Sequence, residues 1–320
     1  MRVNILVLDG VFDLGLASLT DGLNMANDLA CKLPDRPTPI DITLVGVRRR
    51  VRTAQGLSVP VARVGDTQVP DVVLVPALGT KSPEALAARL GHADLRDAIG
   101  ILRRWSVDGV TTGAACTGTF VLAESALLNS HAATTSWWLA PMFRQRYPGV
   151  KLDESRMLVN APGFITAGAA VAHLDLALSV VRSVSPALAA LVARYLLVEP
   201  RGSQADFVIP EHLVYADGVV ERLEAWARKN LVRGFALKDA ALAVGVSERT
   251  LARRLHSVLG KSPLSYFQDL RVERALHLLR TGSDSVDQIA AQIGYADGVT
   301  LRALLRRKLG RCVRELRARV

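Results

Sequence analysis

Four short, mostly apolar runs punctuate the early chain: Val3–Leu8, Ile40–Val45, Val72–Val75 and Val110–Ala115. Their length and β-branched content suit strands buried on both faces of a parallel sheet. Helical spacing of apolar residues predicts helices over Leu14–Ala30, Pro83–Leu90, Asp94–Trp105, Thr117–Leu127, Trp137–Arg146, Gly168–Val181 and Leu188–Leu197. Short strands are expected near Met157–Asn160 and Phe164–Thr166. Strands alternating with helices predict a three-layer α/β domain around a mostly parallel sheet. The polar stretch Glu199-Pro200-Arg201-Gly202-Ser203-Gln204-Ala205-Asp206 then breaks the alternation with turn-forming residues. The chain therefore divides into a first domain over 1–198, a linker over 199–222 and a second domain over 223–320.

In the second domain the period is helical throughout, which predicts an all-α double helix-turn-helix. Leu237, Ala241 and Val244 share one face of a short helix, and Gly245 supplies a turn position tolerant of positive φ. Ser247 can cap a second helix whose first turn carries Glu248. Leu251, Leu255 and Val258–Leu259 fall inward, leaving Arg249, Arg253 and His256 outward with Ala252 between them. A helix showing arginines outward, after a short helix and a tight turn, suits the DNA major groove. The pattern returns about fifty residues on: Val286–Tyr295, capped by Ser285 or Ser283, has Gly294 in the part of Gly245. Gly298–Leu309 is the second reading helix, with Leu301, Leu305 and Leu309 inward, and Pro263–Leu279 reads as the helix joining the two units.

Charge sharpens this division. The 320-residue chain has 40 Lys/Arg and 30 Asp/Glu, yet Trp226–Val320 alone has 19 against 8, leaving 21 against 22 in the rest. The whole basic excess sits in the helical third, the footprint of a polyanion-binding module joined to a neutral one. Three cysteines, Cys31, Cys116 and Cys312, do not make a disulfide framework. The apolar run at the N-terminus is too short for a signal peptide and ends at Asp9. The most apolar helix is interrupted by His173 and Asp175, too short and polar to span a bilayer. A cytoplasmic protein without membrane contact is expected.

The C-terminal pattern resembles the AraC-type transcription regulators. The matching residues are Ser247-x-Arg249-Thr250-Leu251-x-Arg253, Gly260-Lys261-Ser262-Pro263-x-x-Tyr266, Leu270-Arg271-x-x-x-Ala275-x-x-Leu278-Leu279 and Ile289-Ala290-x-x-x-Gly294-Tyr295-x-Asp297. The resemblance implies binding to a double-stranded DNA operator through two successive major-groove faces, about 10 base pairs apart. Arg249 and Arg253 are placed for bidentate guanine contacts, and Ala252 for a thymine methyl. In the second unit Gly298, Val299, Arg302 and Ala303 resemble base-contact positions, and only Arg302 can donate. The first unit is therefore expected to carry most readout, while Arg306, Arg307 and Lys308 grip phosphate. The family's Ser-Pro before the last helix is Cys312-Val313 here, after Gly310-Arg311, and its tyrosine is Leu316, so a less sharply terminated second unit is expected, without loss of the fold.

In the first domain, chemistry centres on Thr111-Thr112-Gly113-Ala114-Ala115-Cys116-Thr117-Gly118-Thr119-Phe120, where a strand ends at a cysteine and a helix begins. Such an elbow can present a nucleophile, and a helix N-terminus favours its thiolate; equally, a small buried residue fits there. The domain resembles the PfpI type of the class I glutamine-amidotransferase-like superfamily. The matching pieces are Asp9-Gly10-Val11, Leu74-Val75-Pro76, Cys116-Thr117-Gly118-x-Phe120-x-Leu122-Ala123, Ala133-Thr134-Thr135 and Thr166-Ala167-Gly168 with Leu174-Asp175-x-Ala177-Leu178. Joined to the AraC-type end, with Arg201-Gly202-x-Gln204 at the junction, this is the architecture of the GlxA-type regulators.

The catalytic relatives implied by that resemblance pair the cysteine with a histidine, next to it or after the Ala-Thr-Thr strand. Thr117 and Ser136 stand there in this chain, and Ala77 replaces a glycine after the Val-Pro strand end. Asp21 matches the acidic position on the first helix, and His131 and His173 are the remaining imidazoles that can line the site. Asp21, Cys116, Ser136 and Trp137 are expected to converge at the carboxyl edge of the sheet as a ligand pocket. Trp137–Trp138 would add an aromatic wall suited, with Asp21, to a cationic or amide-bearing metabolite. The favoured reading is a non-enzymatic, effector-responsive homodimeric regulator with no cofactor or metal, engaging RNA polymerase if it activates. The alternatives are a cysteine-dependent hydrolase or hydratase with a DNA-binding tail, and a scaffold whose first domain only dimerises.

Overall fold

A computed structural model of the chain describes residues 1–80, 82–199, 201–204, 207, 217–309 and 312–317. Pro200, Ala205, Asp206 and 208–216 of the expected linker, and Gly310–Arg311 before the last helix, lie outside the described residues. The chain forms two compact units, Met1–Val208 and Ile209–Val320.

The strands of the first unit are β1 (Arg2–Leu6), β2 (Asp41–Gly46), β3 (Arg50–Arg52), β4 (Ser58–Pro60), β5 (Ala62–Arg63), β6 (Val72–Val75), β7 (Thr111–Ala115), β8 (Ala132–Ala133), β9 (Lys151–Leu152), β10 (Leu158–Ala161) and β11 (Phe164–Ala167). Seven of them form one sheet in the order β10-β11-β7-β6-β1-β2-β5, parallel except for β10 against β11. The helices are α1 (Asp13–Ala30), α2 (Pro83–Leu90), α3 (Ala93–Val107), α4 (Gly118–Glu124), α5 (Ala140–Arg146), α6 (Ala172–Val184) and α7 (Pro186–Tyr195). Alternation along β1 sorts them into layers. Val3 and Ile5 pack with α1, α6 and α7, whereas Leu6 packs with α2, α3, α4 and α5 on the opposite face. The result is the expected three-layer α/β fold.

Local chemistry moves several boundaries. The segment expected as one helix over Trp137–Arg146 is a 3-10 turn, Trp137–Leu139, followed by α5, because Pro141 lacks an N–H and fits only a first turn. The helix after the elbow stops at Glu124, and Ala126 takes a φ of 62°. Residues 168–171 form the turn into α6, not its first turn. The 199–222 stretch is not connector throughout. Arg201–Gln204 is bonded into the first unit, and the first helix of the second unit starts at Gly218.

That second unit comprises α8 (Gly218–Asn230), α9 (Leu237–Ala243), α10 (Glu248–Leu259), α11 (Pro263–Thr281), α12 (Val286–Gln292), α13 (Gly298–Leu309) and α14 (Val313–Arg317). Both helix-turn-helix turns run through left-handed glycines, Gly245 at φ 74° and Gly294 at φ 82°. The Ser247 hydroxyl accepts the Thr250 N–H to cap α10. Ser285, not Ser283, caps α12, in a capping box with Gln288. Arg271 ties the joining helix to its surroundings. Its guanidinium donates to the Leu231 carbonyl at 2.6 and 2.9 Å and lies over the rings of Phe267 and Tyr295. Leu316 is buried in a core cluster with Leu279, Ile289 and Leu305, and the Glu315 carboxylate accepts the Cys312 N–H at 2.7 Å. The last helix is thus entered through an acidic cap where the expected proline is missing. Among the described residues no helix is long and apolar enough to cross a membrane.

Candidate functional site

The elbow is built by two residues between β7 and α4, Cys116 and Thr117. Cys116 has a φ of 56°, a left-handed value that strains any residue with a Cβ. Gly118 makes room for it, since a Cβ there would lie 2.3 Å from the Val75 carbonyl oxygen. The Cys116 N–H donates to the Ala167 carbonyl at 3.0 Å, holding the turn against β11. On the other side stands a wall of three buried hydroxyl residues, Thr134, Thr135 and Ser136. Thr135 donates its hydroxyl to the Cys116 carbonyl at 2.7 Å, and Ser136 Oγ lies 2.7 Å from Cys116 Sγ.

Burial pushes the Cys116 thiol up, and hydrogen bonds from Ser136 and Thr117 only partly offset this. Desolvation therefore outweighs the helix N-terminus that was expected to favour thiolate, and at neutral pH the sulfur is protonated. His173 does not reach that sulfur in a hydrogen bond. It comes from α6 onto α1 and packs so closely on Gly15 that a Cβ there would sit 2.6 Å from Nε2. Nε2 accepts the Ala77 N–H at 3.0 Å and Nδ1 donates to the Ala170 carbonyl at 2.6 Å. Burial lowers its pKa to about 4 and keeps the ring neutral. The next donor is also engaged: the Leu78 N–H donates to Thr117 Oγ1 at 2.7 Å, and that hydroxyl donates back to the Leu78 carbonyl at 2.8 Å. The loop after β6, where an oxyanion site would draw its donors, thus has both N–H groups bonded internally.

Of the four residues expected to converge, Cys116 and Ser136 meet. Trp137 is buried beside them, edge-on to the half-exposed Trp138 with centroids 5.4 Å apart. Asp21 does not join them. It lies in the exposed stripe Leu14, Ala17, Asp21, Asn24, Asp28 of α1, opposite the buried stripe Gly15, Leu19, Gly22, Ala26. The first-helix position that faces His173 is Gly15. His131 also lies elsewhere: it packs against Phe164, at the start of β11, whereas Cys116 follows the far end of β7.

Sequence reasoning missed Gln204 as a member of this site. Its buried amide donates to the Thr135 carbonyl at 2.8 Å and to Thr134 Oγ1 and the Arg156 carbonyl at 3.3 Å, and accepts the Ala169 N–H at 3.1 Å. Gly168 permits this, because a Cβ there would stand 2.6 Å from Gln204 Oε1. The available signal was the junction motif Arg201-Gly202-x-Gln204, whose arginine pairs with Asp175 at 2.5 Å. Wall 134–136 therefore has the thiol on one side and the outgoing chain on the other.

In the second unit Ser247, Arg249, Arg253 and His256 are exposed along α10, with Ala252 half-buried between them. Arg302, Arg306 and Arg307 are exposed on α13. None of these arginines has an ion-pair partner among the described residues. Lys308 differs: its ammonium pairs with Asp269 at 2.8 Å, and the other Asp269 oxygen takes Lys261 at 2.8 Å. Arg254 is likewise held by Asp217 at 2.7 Å.

Residues 1–183 match the DJ-1/PfpI family, and residues 240–319 match a helix-turn-helix domain. The chain is 27% identical to the HTH-type transcriptional regulator GlxA of Rhizobium meliloti, over 92% of this chain and 89% of that protein. It is 25% identical to the HTH-type transcriptional regulator GbdR of Pseudomonas aeruginosa, over 92% of this chain and 77% of the relative. A crystal structure from Vibrio parahaemolyticus, described as a transcriptional regulator protein, shares the first unit's fold with a TM-score of 0.52 at 18% identity, covering 61% of this chain and 98% of that one. The chain belongs to the DJ-1/PfpI family and, with its AraC-type helix-turn-helix domain behind that fold, is a transcriptional regulator of the GlxA type.

Proposed function

We propose that the DJ-1/PfpI unit is a non-catalytic sensor of a small nitrogen-containing metabolite, and that it controls operator binding by the second unit through the wall at 134–136. The observation that carries this reading is the internal bonding of the thiol and of the two N–H groups after β6. The thiol is protonated and bonded to a serine, and the two adjacent N–H groups are held by His173 and Thr117. With Asp21 on the exposed face of α1, the carboxylate expected to answer a cation does not face Cys116 and Ser136, so an uncharged, amide-bearing ligand seated by Trp137 and Trp138 fits better. A ligand that reaches Ser136 displaces the wall, and that displacement is felt at Gln204. The first unit also supplies the dimer contact, and the regulator activates transcription by engaging RNA polymerase.

On the operator, Ser247, Arg249, Ala252, Arg253 and His256 read bases, Arg302 adds one contact, and Arg306 and Arg307 grip phosphate. Lys308 joins them only by leaving Asp269. The test is a thermal-shift screen of amides, amino acids, amines and betaines, followed by footprinting on promoters beside the protein's own gene. A stabilising compound that alters protection of the operator supports the reading; stabilisation without any change in protection overturns it. The left-handed Cys116 favours a second reading, a cysteine hydrolase or hydratase. Rapid alkylation of Cys116 at neutral pH, with turnover of an amide or nitrile, would establish that reading instead.

A further inference from the structure

We propose that the β3–β4 hairpin and the turn leading into it form an accessory anion surface that holds the phosphate backbone of the same DNA duplex the second unit reads. Residues 47–63 carry five arginines, Arg48, Arg49, Arg50, Arg52 and Arg63, with no lysine and no carboxylate. All five are exposed, and none has an ion-pair partner among the described residues. Two carboxylates border the patch: Asp94 takes Arg89 at 2.5 and 2.8 Å and also feels the Arg48 charge, and an Asp9 oxygen accepts the Arg52 backbone N–H. Strand geometry organises the charges. Val51 is buried while Arg50 and Arg52 project from the same outer face, about 7 Å apart along the strand. Arg63 on β5 stands beside Gly46, the last residue of β2, so it joins the cluster laterally.

A solvated surface normally mixes signs and lysines, and here the surroundings run the other way. Without these five arginines, Met1–Ala225 has 16 basic against 22 acidic residues. A concentrated block of guanidinium forks on an acidic background is suited to bidentate phosphate. The hairpin is a sheet of its own, bridged through Thr53 to Val11, which in turn bridges Leu78; its arginines are nevertheless exposed, whereas Cys116 and Ser136 are buried, so the patch does not line the metabolite pocket. Duplex DNA is the polyanion this protein already binds, and the tether between its units keeps that duplex at high local concentration.

The test compares full-length protein with a variant carrying Arg48→Gln, Arg49→Gln, Arg50→Gln and Arg52→Gln, on an operator duplex with long flanks. The plot of log affinity against log salt is expected to become shallower by about 3 to 4, near 0.9 per phosphate released. Protection outside the half-site is lost while protection within it stays. A milder pair, Arg49→Gln with Arg50→Gln, gives about half that change and serves if the fourfold variant does not fold. On a duplex trimmed to the half-site, variant and parent bind alike. An unchanged slope on long DNA overturns the proposal. So does a variant that keeps its slope but loses self-association, which would assign the patch to a protein contact. If the parent itself binds no operator, the regulator reading fails and not this inference alone.

Discussion

The elbow and the reading helix α10 both present polar groups at the start of a helix, yet they treat those groups in opposite ways. At the elbow three donors are consumed at home: the Ala77 N–H by His173, the Leu78 N–H by Thr117, and the thiol by Ser136. On α10 the cap is satisfied through Ser247 and Arg254 is held by Asp217, while Arg249 and Arg253 stand exposed without ion pairs among the described residues. Saturation fixes geometry and lowers reactivity. Open charge leaves binding energy to be realised on a partner. On the proposed reading, the contrast separates a region that reports from a region that grips.

The largest effect expected from this contrast is on acid stability. His173 is neutral in the folded state with a pKa lowered to about 4, while the unfolded ring takes a proton near 6.5. Its stabilisation is full above pH 6.5 and is lost as pH falls toward 4, amounting to about 3 kcal/mol. Urea titrations from pH 7 to 4 should show that slope in the parent and a flatter one in His173→Gln. Next, Arg253→Ala should remove roughly 1–3 kcal/mol of discrimination between operator and unrelated DNA. Equal weakening on all sequences in competition assays would place Arg253 on phosphate and erase its distinction from α13.

Smaller again is Gln204→Ala, which leaves the Ala169 N–H and the Thr135 carbonyl without their amide partner and should cost the first unit about 1–2 kcal/mol. The sharper readout is the ligand response, which should vanish while ligand binding persists. The smallest effect belongs to Asp269→Asn, which frees Lys261 and Lys308 and should tighten DNA binding about twofold, in line with an exposed ion pair's few tenths of a kcal/mol. Gel-shift titration at low salt would detect it.

Much of this was legible in the chain itself. The period of apolar residues located β1, β6 and β7 closely, and both helix-turn-helix units followed from Gly245, Gly294 and their flanking stripes. Misplacements arose where tertiary packing decided. Asp21 has the composition of a site residue, but helical phase turns it to solvent. Gly15 carries no chemistry, yet its missing side chain admits His173 from a helix far along the sequence. Gln204 lies in a stretch rich in turn formers, and only Gly168 shows why it is held. The arginines at 48–52 stand in plain sight; the hairpin that aligns two of them does not, because β3 and β4 are three residues each.

One carboxylate bears on how the protein's salt response is measured. Asp269 already occupies, for Lys261 and Lys308, the role a phosphate oxygen would take. Added electrolyte weakens that internal rival together with the DNA complex, so the two losses partly cancel. A count of phosphates inferred from ionic strength alone will therefore fall short of the number the second unit touches.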